Sequence, residues 1–172
     1  RDAPHVDGRV DPIADIETIE TDLMLADLES LEKRVLTLEK KARGGDKEAK
    51  EALDLVTRSL VLLREGKPAR FVERRPEEER TFSMLGLLTA KPVLYVCNVE
   101  EASAQDGNAQ SAKVFGRAAE EGAKAVVVSA KIESEIAVLP PEEQRDYLEA
   151  IGLDEPGLNR VIRAGYELLK LV

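Results

Sequence analysis

Tryptophan is absent from the 172 residues, and cysteine and histidine occur once each, as Cys97 and His5. A lone cysteine excludes an internal disulfide, and one cysteine with one histidine excludes a zinc site built from clustered His and Cys. A reducing, cytoplasmic setting is therefore expected, with Cys97 a small core residue. No apolar run approaches the roughly 20 residues needed to span a bilayer, and the N-terminus has no basic segment leading into an apolar one. A membrane partner and export are not expected. Aromatics are scarce at 3%, whereas 43% hydrophobic and 34% charged residues match a helix-rich chain that buries a core. The formal net charge of -9 repels phosphates, so DNA is not an expected partner and any nucleic-acid contact must be local. An initiator methionine is also missing: the sequence opens Arg1-Asp2-Ala3-Pro4-His5, as a fragment would.

Beyond Asp11-Pro12, where aspartate can cap and proline fits the first helical position, apolar residues recur at spacings of three and four. Ile16, Ile19, Leu23, Leu31, Val35, Leu38 and Ala42 predict one long helix, its stripe widened by Leu25, Leu28 and Leu36. Lys40-Lys41-Ala42-Arg43 places cations at the negative helix end, and Gly44-Gly45 supplies the exit. Asp46 then caps a second helix carrying Ala49, Leu53, Val56, Leu60 and Leu63, which Gly66-Lys67-Pro68 ends. Two apolar stripes joined by a glycine turn predict an antiparallel hairpin that projects as an arm. A charged stretch, Arg74-Arg75-Pro76-Glu77-Glu78-Glu79, reads as a return loop and a short proline-opened helix.

The pattern then changes. Pro92-Val93-Leu94-Tyr95-Val96-Cys97 and Ala125-Val126-Val127-Val128 have the near-continuous apolar character of central strands covered on both faces. A helical segment from Ala112 to Glu121, stopped by Gly122, lies between them, which predicts a right-handed parallel crossover. Pro140-Pro141-Glu142-Glu143 opens a further helix, and Gly157 to Leu171 supplies the last, with Val161, Leu168 and Leu169 on its apolar side.

In an open parallel sheet, ligands bind beyond the carboxyl ends of the strands. There the first strand runs into Asn98-Val99-Glu100-Glu101 and the second into Ser129-Ala130-Lys131. The pair is similar to the two base-recognition signatures of P-loop GTPases, Asn-Lys-x-Asp and Ser-Ala-Lys. Val99 stands where lysine is usual and Glu101 where aspartate accepts from N1–H and N2–H2 of guanine. A longer carboxylate cannot sit identically, so guanine reading is compromised.

The Asn-x-x-Glu form resembles that of YchF-type Obg-like ATPases, as do His5-Val6-Asp7-Gly8-Arg9-Val10-Asp11-Pro12, Ala26-Asp27-Leu28-Glu29, Leu88-Thr89-Ala90-Lys91-Pro92-Val93 and the stretch Gly152 to Tyr166. The resemblance implies an α/β fold: part of a P-loop NTPase with a Rossmann-like parallel sheet and an inserted antiparallel helical hairpin. Residues 1–11 would end a switch-proximal segment, 12–67 would form the hairpin, and 68–172 the C-terminal half of the nucleotide-binding domain, followed in the family by a TGS domain. The implied activity is ATP hydrolysis, with ATP preferred to GTP and the ribosome or its RNA as partner. Asn98, Val99, Glu101, Ser129, Ala130 and Lys131 would bind the base. His5 would position the attacking water. Mg2+ is implied as cofactor, with ligands in a phosphate loop and switch regions. No Gly-x-x-x-x-Gly-Lys-Ser/Thr loop occurs in these residues, so no metal ligand is assigned and the chain alone is expected to be inactive.

Other readings of the same residues stand beside these. His5 also fits an exposed terminal histidine, Asn98 a turn cap, Glu101 a surface acid, Ser129-Ala130 a plain strand exit, and Lys131 a solvated lysine. Lys40, Lys41, Arg43 and Lys47 fit a solvated helix end, although their clustering in an acidic chain suits RNA. The alternative function is a non-catalytic ribosome- or RNA-binding module built on the hairpin.

Overall fold

The computed structural model describes residues 11–170. These divide into two compact units: Ala14–Lys91, and a second that takes up the chain from Pro92.

In the first unit, α1 (Pro12–Arg43) and α2 (Lys47–Arg64) are joined by the predicted two-glycine turn. Gly45 has φ +92°, which lets its N–H reach the Ala42 carbonyl while the Asp46 N–H reaches Lys41. Asp46 then accepts from the Ala49 N–H at 3.1 Å, so one residue closes α1 and caps α2. Leu31, Leu55, Val56, Leu60 and Leu63 form the core with Ala69, Val72, Phe82, Leu85 and Leu87. The expected α2 stripe is present, and Leu55 and Ser59 add a second buried line that lets the return segment pack there.

The expected α1 stripe is present at Leu28, Leu31, Val35 and Leu38 and corrected elsewhere. Its buried line runs through Met24, Asp27, Leu28, Leu31, Val35 and Leu38. Ile19, Leu23, Leu25 and Leu36 are exposed. At 3.6 residues per turn, Ile19, Leu25 and Leu36 point about a third of a turn away from Leu31, so apolar spacing alone draws the stripe too wide.

Residues 68–91, grouped on sequence with the nucleotide-binding part, pack within this unit. A short 3-10 turn at Pro76–Glu78 leads into α3 (Glu79–Met84), as the proline suggested. Buried Asp27 of α1 holds the returning chain: it accepts from the Leu88 and Thr89 N–H groups at 2.8 and 2.9 Å and from the Thr89 hydroxyl at 2.6 Å. Thr89 Oγ1 in turn accepts from the Ala69 N–H at 2.9 Å. Hydrogen bonds to a charged acceptor contribute about 1.5–3 kcal/mol each, making Asp27 a principal tie between α1 and the return segment.

The second unit contains β1 (Leu94–Asn98), α4 (Ala109–Glu121), β2 (Lys124–Val128), α5 (Ala130–Ala137), α6 (Pro141–Ala150) and α7 (Gly157–Leu168). The strands pair in parallel with Leu94 opposite Lys124 and Asn98 opposite Val128. Asn108 and Ser111 cap the start of α4 reciprocally, and Gly122, at φ +70°, ends it. Successive strand residues face opposite sides. Accordingly, Val127 meets the Gly107 turn that enters α4, whereas Val128 meets Gly157 at the start of α7. A Cβ on Gly157 would lie 2.9 Å from Val128 Cγ1, so glycine is required for this approach. The strands are less covered than expected: Val96 is half exposed, and Cys97 is only half-buried. Leu169, expected on the apolar side of α7, is exposed, and Ala164 takes the buried place. Among the described residues, no helix is long and apolar enough to cross a membrane.

Candidate nucleotide-base site

Parallel pairing sets the geometry of the candidate site. Because Asn98 is in register with Val128, both strands end at the same level and release their motifs side by side. The Val99 N–H adds one more rung, donating to the Val128 carbonyl at 2.8 Å. Asn98 Oδ1 then accepts from the Ala130 N–H at 2.9 Å, tying the two motifs directly. With Oδ1 occupied, the donor that Asn98 can offer outward is its Nδ2 amide. Its match on a purine is the acceptor N7, which adenine and guanine share.

Ser129 begins α5. Its buried side chain accepts from the Ile132 N–H at 3.3 Å, so the serine is a helix cap as well as a motif residue. The sequence presents this stretch as a base-recognition motif or a plain strand exit, and α5 is not expected from it. The signal was the serine followed by Ile132 and Ile136 four residues apart, which now pack with Ala104, Leu148 and Leu153. Glu133 accepts from the Gly157 N–H and fastens the α7 start to α5.

Two of the base-site candidates turn inward: Val99 and Ser129 are buried. The other two side-chain candidates meet. Lys131 Nζ lies 2.6 Å from Glu101 Oε1, and both side chains remain largely exposed. The hydrogen bond that Lys131 donates to Glu101, followed by the negative charge of that carboxylate, raises the Lys131 pKa above the ordinary lysine value. Glu100, read only as a spacer between Asn98 and Glu101, also has a defined part. It accepts from the Ser103 hydroxyl and from Asn108 Nδ2, the latter at 3.0 Å. Those bonds, led by Ser103, hold its carboxyl below the usual range and link the motif loop to the α4 cap.

His5 lies outside the described residues. Lys40, Lys41, Arg43 and Lys47 are all exposed at the hairpin turn, where Arg43 forms a long i,i+4 pair with Glu39 at 3.8 Å. No group of three His, Cys, Asp or Glu side chains suited to a metal ion occurs among the described residues. The Mg2+ implied by resemblance is therefore assigned to none of them, and no step is routed through it.

Comparison with known proteins places these observations in a family. No protein-family model matches the chain. The ribosome-binding ATPase YchF of Bacillus subtilis is 46% identical over 169 residues, which cover 97% of this chain and 46% of that protein. Its namesake from Haemophilus influenzae is 46% identical over 170 residues, covering 99% and 47%. Among solved structures, that of the Schizosaccharomyces pombe YchF GTPase superposes with a TM-score of 0.80 at 27% identity, covering 98% of this chain and 47% of that one. This chain spans about half the length of the relatives it matches. Across that half it is similar to the curated relatives in sequence and to the solved YchF structure in its P-loop GTPase-type fold, and it belongs to the YchF-type Obg family.

Proposed function

We propose that the unit from Pro92 onward is the base-reading end of a nucleotide-binding domain in an ATPase that works at the ribosome, with adenine selected over guanine. One observation carries this reading: Asn98, at the end of β1, is hydrogen-bonded to Ala130, just beyond the end of the parallel neighbour β2. Two separate motifs are thereby fixed at one sheet end, where open parallel sheets take ligands. Asn98 Nδ2 would hold a purine through N7 without distinguishing adenine from guanine. Discrimination then falls on Glu101, the exposed carboxylate three residues further along the motif.

The relatives' names support nucleotide hydrolysis in the family but differ over the nucleotide, ATPase in Bacillus subtilis and GTPase in Schizosaccharomyces pombe. Competition binding of ATP and GTP to the full-length protein tests the proposal. Glu101→Asp should shift the affinity ratio toward GTP by up to about tenfold, the low end of what one added hydrogen bond to a charged acceptor contributes. Buried Val99, which offers the base no lysine, keeps the shift below that ceiling. A ratio that stayed constant or moved toward ATP would remove Glu101 from base reading. The hairpin supports a second role, contact with ribosomal RNA, because Lys40, Lys41, Arg43 and Lys47 are exposed at its tip. Water activation by His5 is part of the proposal and rests on its motif.

A further inference from the structure

We infer that Lys131 is a positioning residue for base selectivity: by engaging one oxygen of Glu101, it leaves that carboxylate one unengaged oxygen beside an ammonium, an arrangement that suits adenine better than guanine. This rests on the base-reading site proposed above. The geometry behind it is the 2.6 Å contact between Lys131 Nζ and Glu101 Oε1. That contact joins residues from two motifs already tied together by the Asn98–Ala130 bond, so each side chain emerges from an anchored backbone. Both groups are accessible, with side chains 69% and 42% exposed, and a base arriving beside Asn98 would meet them as a pair. Glu135 adds further negative charge near Lys131 and favours the ammonium form.

Guanine presents two adjacent donors, N1–H and the N2 amino group, and a carboxylate receives the two best side by side, one on each oxygen. Lys131 takes one of the two lone-pair sites of Oε1 and sets an ammonium against the incoming guanine donor, which weakens that second bond. Adenine presents one amino donor beside an unprotonated N1. Glu101 Oε2 can accept from the former, and the adjacent ammonium offsets the repulsion that a bare carboxylate would exert on the latter. The pair thus turns a two-acceptor group into an acceptor next to a donor. Because an exposed ion pair contributes little, the ceiling on its effect is about fivefold.

Affinities of ATP and GTP measured on the full-length protein test the inference. Lys131→Met should raise the GTP-to-ATP affinity ratio by about threefold, whereas Lys131→Arg, which keeps the pair, should leave it near wild type. In a Glu101→Gln background, Lys131→Met should no longer move the ratio, since the effect runs through the carboxylate. An unchanged or lowered ratio in Lys131→Met with ATP binding retained overturns the role of Lys131 and leaves the site reading intact. The same shift with or without Glu101 also overturns it. Failure of the wild-type protein to bind either nucleotide overturns both.

Discussion

At the residue scale, charged side chains divide into those that water keeps and those that packing claims, and sequence does not separate them. Arg74-Arg75-Pro76-Glu77-Glu78-Glu79 looks uniformly solvated, yet Glu78 is buried between two guanidinium groups. It accepts from Arg58 and, at 3.0 Å each, from the Arg75 Nε and backbone N–H. Arg58 is 20 residues away on α2, and it selects one glutamate of three that composition treats alike. Asp27 presents the same problem: it stands in a segment that carries the family resemblance, but its partners lie 61 and 62 residues downstream. Glu78 yields a pH prediction. Its pKa is lowered from 4.5 to about 2, chiefly by the Arg58 bond and then by the Arg75 bonds. A depressed carboxyl stabilises the fold above its unfolded value and loses that contribution as pH falls toward the folded one. Wild type should therefore melt above Glu78→Gln at neutral pH, with the gap in Tm narrowing between pH 4.5 and about 2. Parallel melting curves for the two proteins across that window would deny Glu78 this part.

At the element scale, the helix boundaries were more legible than the helix faces. Asp11-Pro12, Gly44-Gly45-Asp46 and Gly66 act through local backbone chemistry, and both hairpin helices start and stop at those signals. Which line of α1 is buried depends on what packs against it, and there periodicity misplaced Ile19 and Leu36. β1 and β2 were legible from their apolar runs, whereas α5 was hidden behind the motif that opens it. The hairpin tip tests whether its charges meet RNA. Lys40→Glu, Lys41→Glu and Arg43→Glu together should weaken ribosome co-sedimentation and lower the slope of log affinity against log salt by about 2–3. ATP affinity should not change, because these residues belong to the other unit from Asn98 and Glu101. Superimposable salt curves for the triple variant and wild type would leave the cations to their local task at the negative end of α1.

At the scale of the whole molecule, Ala14–Lys91 interrupts the run of sequence that carries the motifs of the proposed nucleotide site. The chain thus spends its middle on a helical unit while the proposed base site is assembled from residues 98–101 and 129–131, brought together by one parallel strand pair. The candidate side chains were readable because each motif follows an apolar strand. The Glu101–Lys131 and Glu100–Asn108 contacts were not, since they depend on loop geometry. Catalysis adds a requirement that base reading cannot meet: water must be directed at the terminal phosphorus, and that needs a group whose influence appears mainly in the transition state. His5, the one histidine in the sequence, is the candidate, through the resemblance of its motif to the family's loop near the phosphates. In the full-length protein, His5→Ala should lower the single-turnover rate of ATP hydrolysis by roughly 100-fold while leaving ATP affinity nearly unchanged. Binding and chemistry would then separate, as they must if the base is held at Asn98 and the water is oriented elsewhere. Were His5 important only for folding, alanine would lower the melting temperature and leave the rate per folded molecule near wild type. Single-turnover hydrolysis run beside an ATP titration distinguishes the two, and an unchanged rate would take His5 out of the mechanism.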